Sequence, residues 1–210
     1  MESNMKKSIL TASFLAFFLS ACSFTKPAFN LENENTQIKQ CQSIKKAKEK
    51  LECYENISEE NSTAALKLGI YNAERKNFDK AAKLLVTSKE MGNYYANLPL
   101  AYLYFQGTGV KKDTKKSLEL LQESASKDPN AAFQLSKFYS KGLVIEKDIN
   151  KALEYLTFAA NKNMFVAQRE LALIYSKGLL GIKKDEVKAK LWQEKANANK
   201  TDRTFDIYKL

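Results

Sequence analysis

Apolar side chains recur at spacings of three and four residues in the second half of the chain, which is the pattern of helices with one apolar face. One series of an alanine, a leucine, a tyrosine and a glycine occurs three times, at intervals of 35 and 36 residues. The three copies are Ala96, Leu100, Tyr104 and Gly107; Ala131, Leu135, Tyr139 and Gly142; and Ala167, Leu171, Tyr175 and Gly178. Self-similarity at such a period indicates a repeat architecture.

A second helical pattern follows each glycine and completes the unit. Its three copies are Asp113, Ser117, Leu120 and Ser124; Asp148, Ala152, Tyr155 and Ala159; and Asp185, Ala189, Trp192 and Ala196. Glycine permits a tight reversal, and aspartate is a favourable helix N-cap. The last copy has one extra residue in its turn, near Gly181, and Pro99 places a helix start near Asn97. Neither helix of a unit can bury its apolar face alone, so the units are expected to stack.

The pattern A-x-x-x-L-[GA]-x-x-Y-x-x-G…D-x-x-K-A…[WY] resembles the Sel-1-like repeat, a relative of the tetratricopeptide repeat. The resemblance covers residues 96–198 in three copies, with Ala101, Ser136 and Ala172 where glycine is usual. A degenerate fourth copy spans about residues 63–93. The resemblance implies an all-α fold, an α-solenoid of stacked helix-turn-helix repeats over residues 63–200. The remaining tail, residues 201–210, either caps the last repeat or docks elsewhere.

The N-terminus carries the features of an export signal. Lys6 and Lys7 precede an apolar run, residues 9–19, that is too short for a permanent membrane span. The run ends in Leu-Ser-Ala-Cys22, which resembles the lipobox of bacterial lipoproteins. This resemblance implies a signal peptide over residues 1–21 and a lipid on Cys22, and Ser23 favours the outer membrane with the domain facing the periplasm. The alternatives are an ordinary cysteine after a leader, or a signal anchor.

Residues 22–36 form the predicted tether of the lipidated chain. The segment is polar, contains Pro27 and shows no apolar periodicity. At about 3.3–3.6 Å per residue, its reach is at most roughly 50 Å. The domain is therefore expected to work close to its membrane.

Cys41 and Cys53 form an even pair in an oxidising compartment, which favours a disulfide. One straight helix would hold them about 18 Å apart, whereas a disulfide needs about 5.5 Å, so a reversal is expected near residues 46–50. The segment also resembles a cysteine hairpin, C-x-x-I…R-L-x-C-Y-D, of Gram-negative envelope proteins, some associated with type VI secretion. We predict a disulfide-linked helical hairpin over residues 37–62. Two reduced cysteines on one helix are the alternative.

Composition narrows the classes of function. Lys and Arg number 34 against 24 Asp and Glu, but the +10 net charge is spread over every helix, so we do not expect nucleic-acid binding. The chain contains no histidine, which removes the commonest general base and metal ligand. Gly107-Thr-Gly109 follows no strand and fits a repeat turn better than a phosphate loop. We therefore predict a protein that is not an enzyme and has no cofactor and no metal.

Residues out of phase with the Ala/Leu/Tyr series are expected to line a concave groove. They are Tyr102, Phe105 and Gln106 in the second unit, Phe133, Lys137 and Lys141 in the third, and Arg169, Leu173 and Lys177 in the fourth. Aromatic and basic side chains together suit an acidic or amphipathic peptide or helix. The alternative is that the aromatic rings fold into the core.

These features predict a membrane-anchored periplasmic scaffold or adaptor for an envelope protein complex, with the cysteine hairpin favouring type VI secretion assembly. The expected partners are envelope proteins, bound through a peptide or helix in the groove. Two alternatives stay open: a cell-wall or β-lactam hydrolase, and a surface-exposed factor that binds host proteins.

Overall fold

The computed structural model describes residues 30–199 and 201–210 of the chain, so the predicted signal peptide and Cys22 lie outside the described residues. The described part is helical, without strands, which confirms the all-α prediction. Its α-helices are α1 (Leu31–Ser43), α2 (Ala47–Ile57), α3 (Ser62–Glu74), α4 (Phe78–Glu90), α5 (Asn97–Gln106), α6 (Thr114–Ser124), α7 (Pro129–Lys141), α8 (Ile149–Asn161), α9 (Phe165–Lys177) and α10 (Glu186–Ala198). None of these helices is long and apolar enough to cross a membrane.

Eight of the helices form four consecutive hairpins that stack. The pairs are α3 with α4, α5 with α6, α7 with α8, and α9 with α10, and the second helix of each pair packs on the first helix of the next. One apolar core runs through all four units. The recurring Leu100, Leu135 and Leu171 are almost completely buried in it. The solenoid expected from the repeat pattern is therefore confirmed.

The turn inside each of the last three units has the same hydrogen bonds. The carboxylates of Asp113, Asp148 and Asp185 accept the backbone N–H three residues on, at 2.8, 3.0 and 2.9 Å. The backbone N–H of each aspartate donates to the carbonyl of the tyrosine in the preceding helix, at 2.9 to 3.0 Å. The extra residue of the last copy is absorbed by a short 3₁₀ turn, Leu179–Gly181. Pro99 is the third residue of α5, in the first turn as expected.

Loss of one of these caps should cost stability. We expect Asp148→Ala to lower the free energy of unfolding by about 1 kcal/mol, because the carboxylate satisfies an otherwise unpaired N–H at the start of α8. Chemical denaturation monitored by circular dichroism would measure the change. Glu146→Ala is the matched control, since Glu146 is exposed in the same turn and caps no helix. Equal stability of the two variants would contradict the capping role.

The first unit departs from the repeat pattern at its turn. It has no glycine where Gly107, Gly142 and Gly178 end the first helices of the other units. Instead Lys76 adopts the left-handed conformation, with φ of 62°. Helix pairing is nevertheless the same as in the other units, so the degenerate copy is a structural repeat.

The predicted cysteine hairpin is formed by α1 and α2. A disulfide joins Cys41 and Cys53, whose Cα atoms lie 5.5 Å apart. Ile38, Cys41 and Tyr54 bury an apolar cluster with Ala64 and Leu68 of α3. The disulfide is confirmed, but the reversal falls at residues 44–46 rather than 46–50. Helix α1 ends at Ser43, and Lys46 is already extended, with φ of −79° and ψ of 121°, as the residue before α2.

The predicted tether boundary at residue 36 is also too late, because α1 begins at Leu31. Glu34 explains the earlier start. Its carboxylate accepts hydrogen bonds from the Ser62 hydroxyl at 2.9 Å and from the Thr63 backbone N–H at 2.8 Å. A polar segment is thus held against the N-terminus of α3 by contacts that apolar periodicity does not show.

The tail, residues 201–210, docks on the earlier repeats, which is one of the two possibilities that the sequence leaves open. It does not end over the last repeat but runs back across the earlier ones, where Ile207 and Tyr208 pack against the shared core. The Asn130 side-chain amide donates to the Thr204 carbonyl at 2.7 Å. The Lys67 ammonium donates to the carbonyls of Ile207 and Lys209. The tail therefore reaches from the fourth unit to the first.

Candidate partner-binding groove

Two neighbouring cavities open along the helices that the sequence analysis assigns to a groove. The first, of about 290 Å³, lies between α5, α6 and α7. Its walls include Tyr102, Phe105, Phe138 and Leu143. The rings of Phe105 and Phe138 meet edge to face, with centroids 5.6 Å apart. Both rings line the cavity, so an aromatic pair forms part of its wall.

The second cavity, of about 790 Å³, lies between α7, α9 and α10. Its apolar wall is exposed: Val166, Leu173, Leu179 and Leu180 are 38 to 48% accessible to solvent. In the preceding units the second helix packs against the first helix of the next repeat. After α10 no further repeat packs on the described chain.

Lys137 and Lys141 of α7 line both cavities and join them into one groove. The Lys137 ammonium forms an ion pair with Glu170 of α9 and lies 4.6 Å from the centre of the Phe133 ring. Lys141 and Arg169 have no ion pair with any residue that the structure describes. The Arg169 guanidinium lies 5.7 Å from the centre of the Phe165 ring. The groove therefore keeps two uncompensated positive charges beside apolar walls.

Tyr102 is the most exposed aromatic side chain of the groove, with 42% of its surface accessible. Its ring lies against the first cavity, and burial raises the pKa of its hydroxyl to about 12. The phenol is therefore protonated at neutral pH, and no described residue accepts its hydrogen bond. Such a group can anchor a bound segment through both its ring and its hydroxyl.

Not every predicted groove residue lies in the groove. Tyr102, Phe105, Lys137, Lys141, Arg169 and Leu173 line one or both cavities. Gln106 and Lys177, at the ends of α5 and α9, and Phe133, under Lys137, line neither. The alternative of inward rings applies in part, because Phe105 and Phe133 are half-buried against the core.

Some groove residues lie in turns and on other helices, and these were not predicted. Leu143, Leu179 and Leu180 belong to the turns after α7 and α9, and Ala189, Lys190 and Gln193 belong to α10. The turn leucines do leave a signal, since turns are usually polar and an exposed leucine there has no packing reason. Lys190 and Gln193 leave none, because solvated polar residues are normal on a helix.

The acidic residues of the groove do not form a metal site within the described part of the chain. Among residues 30–199 and 201–210, no three His, Cys, Asp or Glu side chains are placed to hold a metal ion. Two carboxylates line the second cavity, and both are paired: Glu170 with Lys137 and Glu186 with Lys184. What the geometry offers is shape, apolar surface and positive charge.

Comparison with known proteins agrees with this geometry. Residues 62–93, 95–129, 129–164 and 166–199 each match the Sel1 repeat. The chain belongs to the Sel1 repeat family. Sel1-repeat proteins generally act as protein–protein interaction scaffolds and are typically not enzymes. A search of curated proteins finds no match.

Solved structures share the architecture. A Sel1 repeat protein from Oxalobacter formigenes is 27% identical, with a TM-score of 0.69 over 79% of this chain and 71% of that protein. The protective antigen c5321 of uropathogenic Escherichia coli is 25% identical, with a TM-score of 0.62 over 83% of this chain and 39% of that longer protein. Immunity protein Pa5087 from Pseudomonas aeruginosa is 18% identical, with a TM-score of 0.58 over 80% and 66%, and shows the fold alone.

Proposed function

We propose that this Sel1-repeat protein is a lipid-anchored adaptor at the periplasmic face of the outer membrane, which holds an acidic amphipathic segment of an envelope protein in its groove. The observation that carries the proposal is the pairing of exposed apolar walls with the uncompensated charges of Lys141 and Arg169. The signal-like N-terminus and Cys22 support the anchor. The cysteine hairpin supports a place in type VI secretion assembly.

The two cavities specify what such a segment must carry. The first accepts one apolar side chain against Tyr102 and Leu143, and the larger second cavity accepts a wider apolar face against Leu173 and Leu180. A carboxylate between these apolar groups would reach Lys141, which borders both cavities. Helical peptides present side chains in this alternation at spacings of three and four residues.

Photo-crosslinking in living cells would test the groove directly. A photoreactive residue at position 143, on the rim of the first cavity, is expected to give a discrete crosslinked species that contains an envelope protein. The same residue at position 115, on α6 outside both cavities, is the control position and should not give it.

Substitutions should then remove the crosslink. Tyr102→Ala with Lys141→Glu deletes an aromatic anchor and reverses a charge, and we expect at least a tenfold lower crosslinking yield from position 143. Lys115→Glu makes the same charge change on an exposed residue away from the groove, so the yield should stay as in the wild-type chain. An undiminished yield in the groove variant would contradict binding in the groove.

The anchor and the alternative functions need separate measurements. Cys22→Ser should move the protein from the membrane to the soluble periplasmic fraction, and retention in the membrane would contradict lipidation at this residue. Turnover of a cell-wall or β-lactam substrate by the purified protein would favour the hydrolase instead. Removal of the protein by protease added to intact cells would favour surface display and a host partner.

A further inference from the structure

The tail lies on a surface distinct from the groove and contacts each of the four units. From the fourth unit to the first, it contacts the start of α9, the start of α7, the turn before α5, and the middle of α3. Phe165 lines the groove and also contacts the tail through its backbone N–H. We name this surface the tail site and define it as Lys67, Tyr95, Asp128, Asn130 and the backbone N–H of Phe165.

The contacts at the carboxyl-terminal units are those of peptide recognition. Met164 precedes α9 and has no side chain that can cap it. The carboxylate of Asp202 supplies the cap, accepting the Phe165 N–H at 2.9 Å. The Asn130 amide then binds a main-chain carbonyl of the tail at 2.7 Å. An extended segment of another protein that carries an aspartate could make both bonds.

Towards the amino-terminal units, the tail site binds the hydroxyl and the ring of a tyrosine. The Tyr208 hydroxyl donates to the carboxylate of Asp128, which is completely buried, and the Tyr208 ring meets Tyr95 edge to face at 6.1 Å. Lys67 is only 3% exposed, and its ammonium finds its hydrogen-bond acceptors, among the described residues, in two tail carbonyls. Without the tail, a carboxylate and an ammonium of this site would lose these partners.

The tail fills its site incompletely. Phe205 and Leu210 remain 43% and 40% exposed, and the tail's only regular element within the described chain is a 3₁₀ turn, Asp206–Tyr208. The side-chain oxygen of Asn130 is buried and has no donor among the described residues, although its amide holds the tail. The tail is held by these polar contacts and by the packing of Ile207 and Tyr208, while two of its apolar side chains stay in water. Such a segment can be exchanged for one that fits better.

We propose that the tail is a tethered occupant of a second partner-binding surface, which an extended partner segment with an aspartate and a tyrosine six residues apart displaces. The spacing is that of Asp202 and Tyr208. The partner's aspartate would cap α9, and its tyrosine would bond Asp128. The tail thereby keeps the buried charges of the tail site satisfied until the partner binds.

A labelled synthetic peptide with the sequence of residues 201–210 tests this with the full-length protein. In the variant Asp202→Ala with Tyr208→Ala the tail loses its two side-chain anchors, and we expect the peptide to bind at least tenfold more tightly than to the wild type. Adding Lys67→Met should abolish this gain. Arg203→Ala is the matched tail control, because Arg203 is exposed and pairs only with Asp206 of the tail itself. In the peptide, Asp202→Asn and Tyr208→Phe should each weaken binding at least fivefold.

Hydrogen exchange on the unmodified protein provides a second test that does not depend on a variant folding. The amides of residues 205–209 are expected to exchange at least tenfold faster than those of α7, because the tail detaches without unfolding the repeats. Equal exchange rates in the two segments would overturn the proposal. The proposal would also be overturned if the variant Asp202→Ala with Tyr208→Ala has the thermal stability of the wild type and binds no peptide. A dimer formed by exchanged tails would instead identify the occupant as a second copy of the chain.

Discussion

Reduction of the Cys41–Cys53 disulfide is expected to lower the free energy of unfolding of the α1–α2 hairpin by about 3 kcal/mol, the loop-entropy value for a closed loop of this size. The hairpin needs the bridge because its own core is small. Its described apolar contacts with α3 centre on Ile38, Cys41 and Tyr54. Hydrogen exchange of residues 31–57 with and without a reductant would measure the loss.

The double variant Cys41→Ala with Cys53→Ala separates the bridge from other effects of the reductant. Its amides should exchange at rates close to those of the reduced wild type and should not respond to reductant. A further loss of stability is expected because Cys41→Ala shortens a buried side chain. Residues 129–177, two units away, serve as the internal control and should exchange equally in all samples. Unchanged protection of the hairpin after reduction would contradict a stabilising role for the disulfide.

The repeat architecture could be predicted from sequence because it depends on spacing alone. Leu100, Leu135 and Leu171 recur at nearly constant intervals, and every one is buried. The aspartate caps follow the same rule, since a cap is a local bond between a side chain and an N–H three residues away. Features set by local geometry and periodicity are visible in one sequence.

Features set by contacts between units were not predictable. Lys137 lines the groove as expected, but Glu170, one unit further along the chain, forms an ion pair with it. The pairing depends on how α7 and α9 are stacked, which no local pattern specifies. The charges left for a partner are therefore Lys141 and Arg169.

The tail illustrates the same limit. Several of its contacts are single hydrogen bonds, and three main-chain carbonyls of the tail accept them from Lys67 and Asn130. Such contacts leave no periodic pattern in the sequence. Lys67 itself could not be recognised from the sequence, because a lysine in an amphipathic helix is usually solvated. Burial lowers the pKa of the Lys67 ammonium to about 8. This burial can be seen only in the folded chain with the tail in place.

The second large effect is expected at Gly109, the second glycine of the Gly107-Thr-Gly109 turn. A Cβ atom at this position would lie 2.2 Å from the carbonyl oxygen of Phe78, the first residue of α4. The glycine therefore allows the turn of the second unit to pack on the backbone of the first. Its φ of 68° adds a second reason, since a left-handed conformation strains any residue with a Cβ atom.

Gly109→Ala should accordingly lower the free energy of unfolding by about 3 kcal/mol, about 1 from backbone strain and about 2 from the clash with Phe78. Gly181→Ala is the matched control, because Gly181 has a similar φ of 77° and no atom within 4 Å of a Cβ. Only the strain of about 1 kcal/mol is expected there. Denaturant unfolding of both variants measures the difference. Equal losses would mean that the turn does not pack on α4 in solution. A larger loss at Gly109 would establish that the contact between this turn and α4 holds the first two units together.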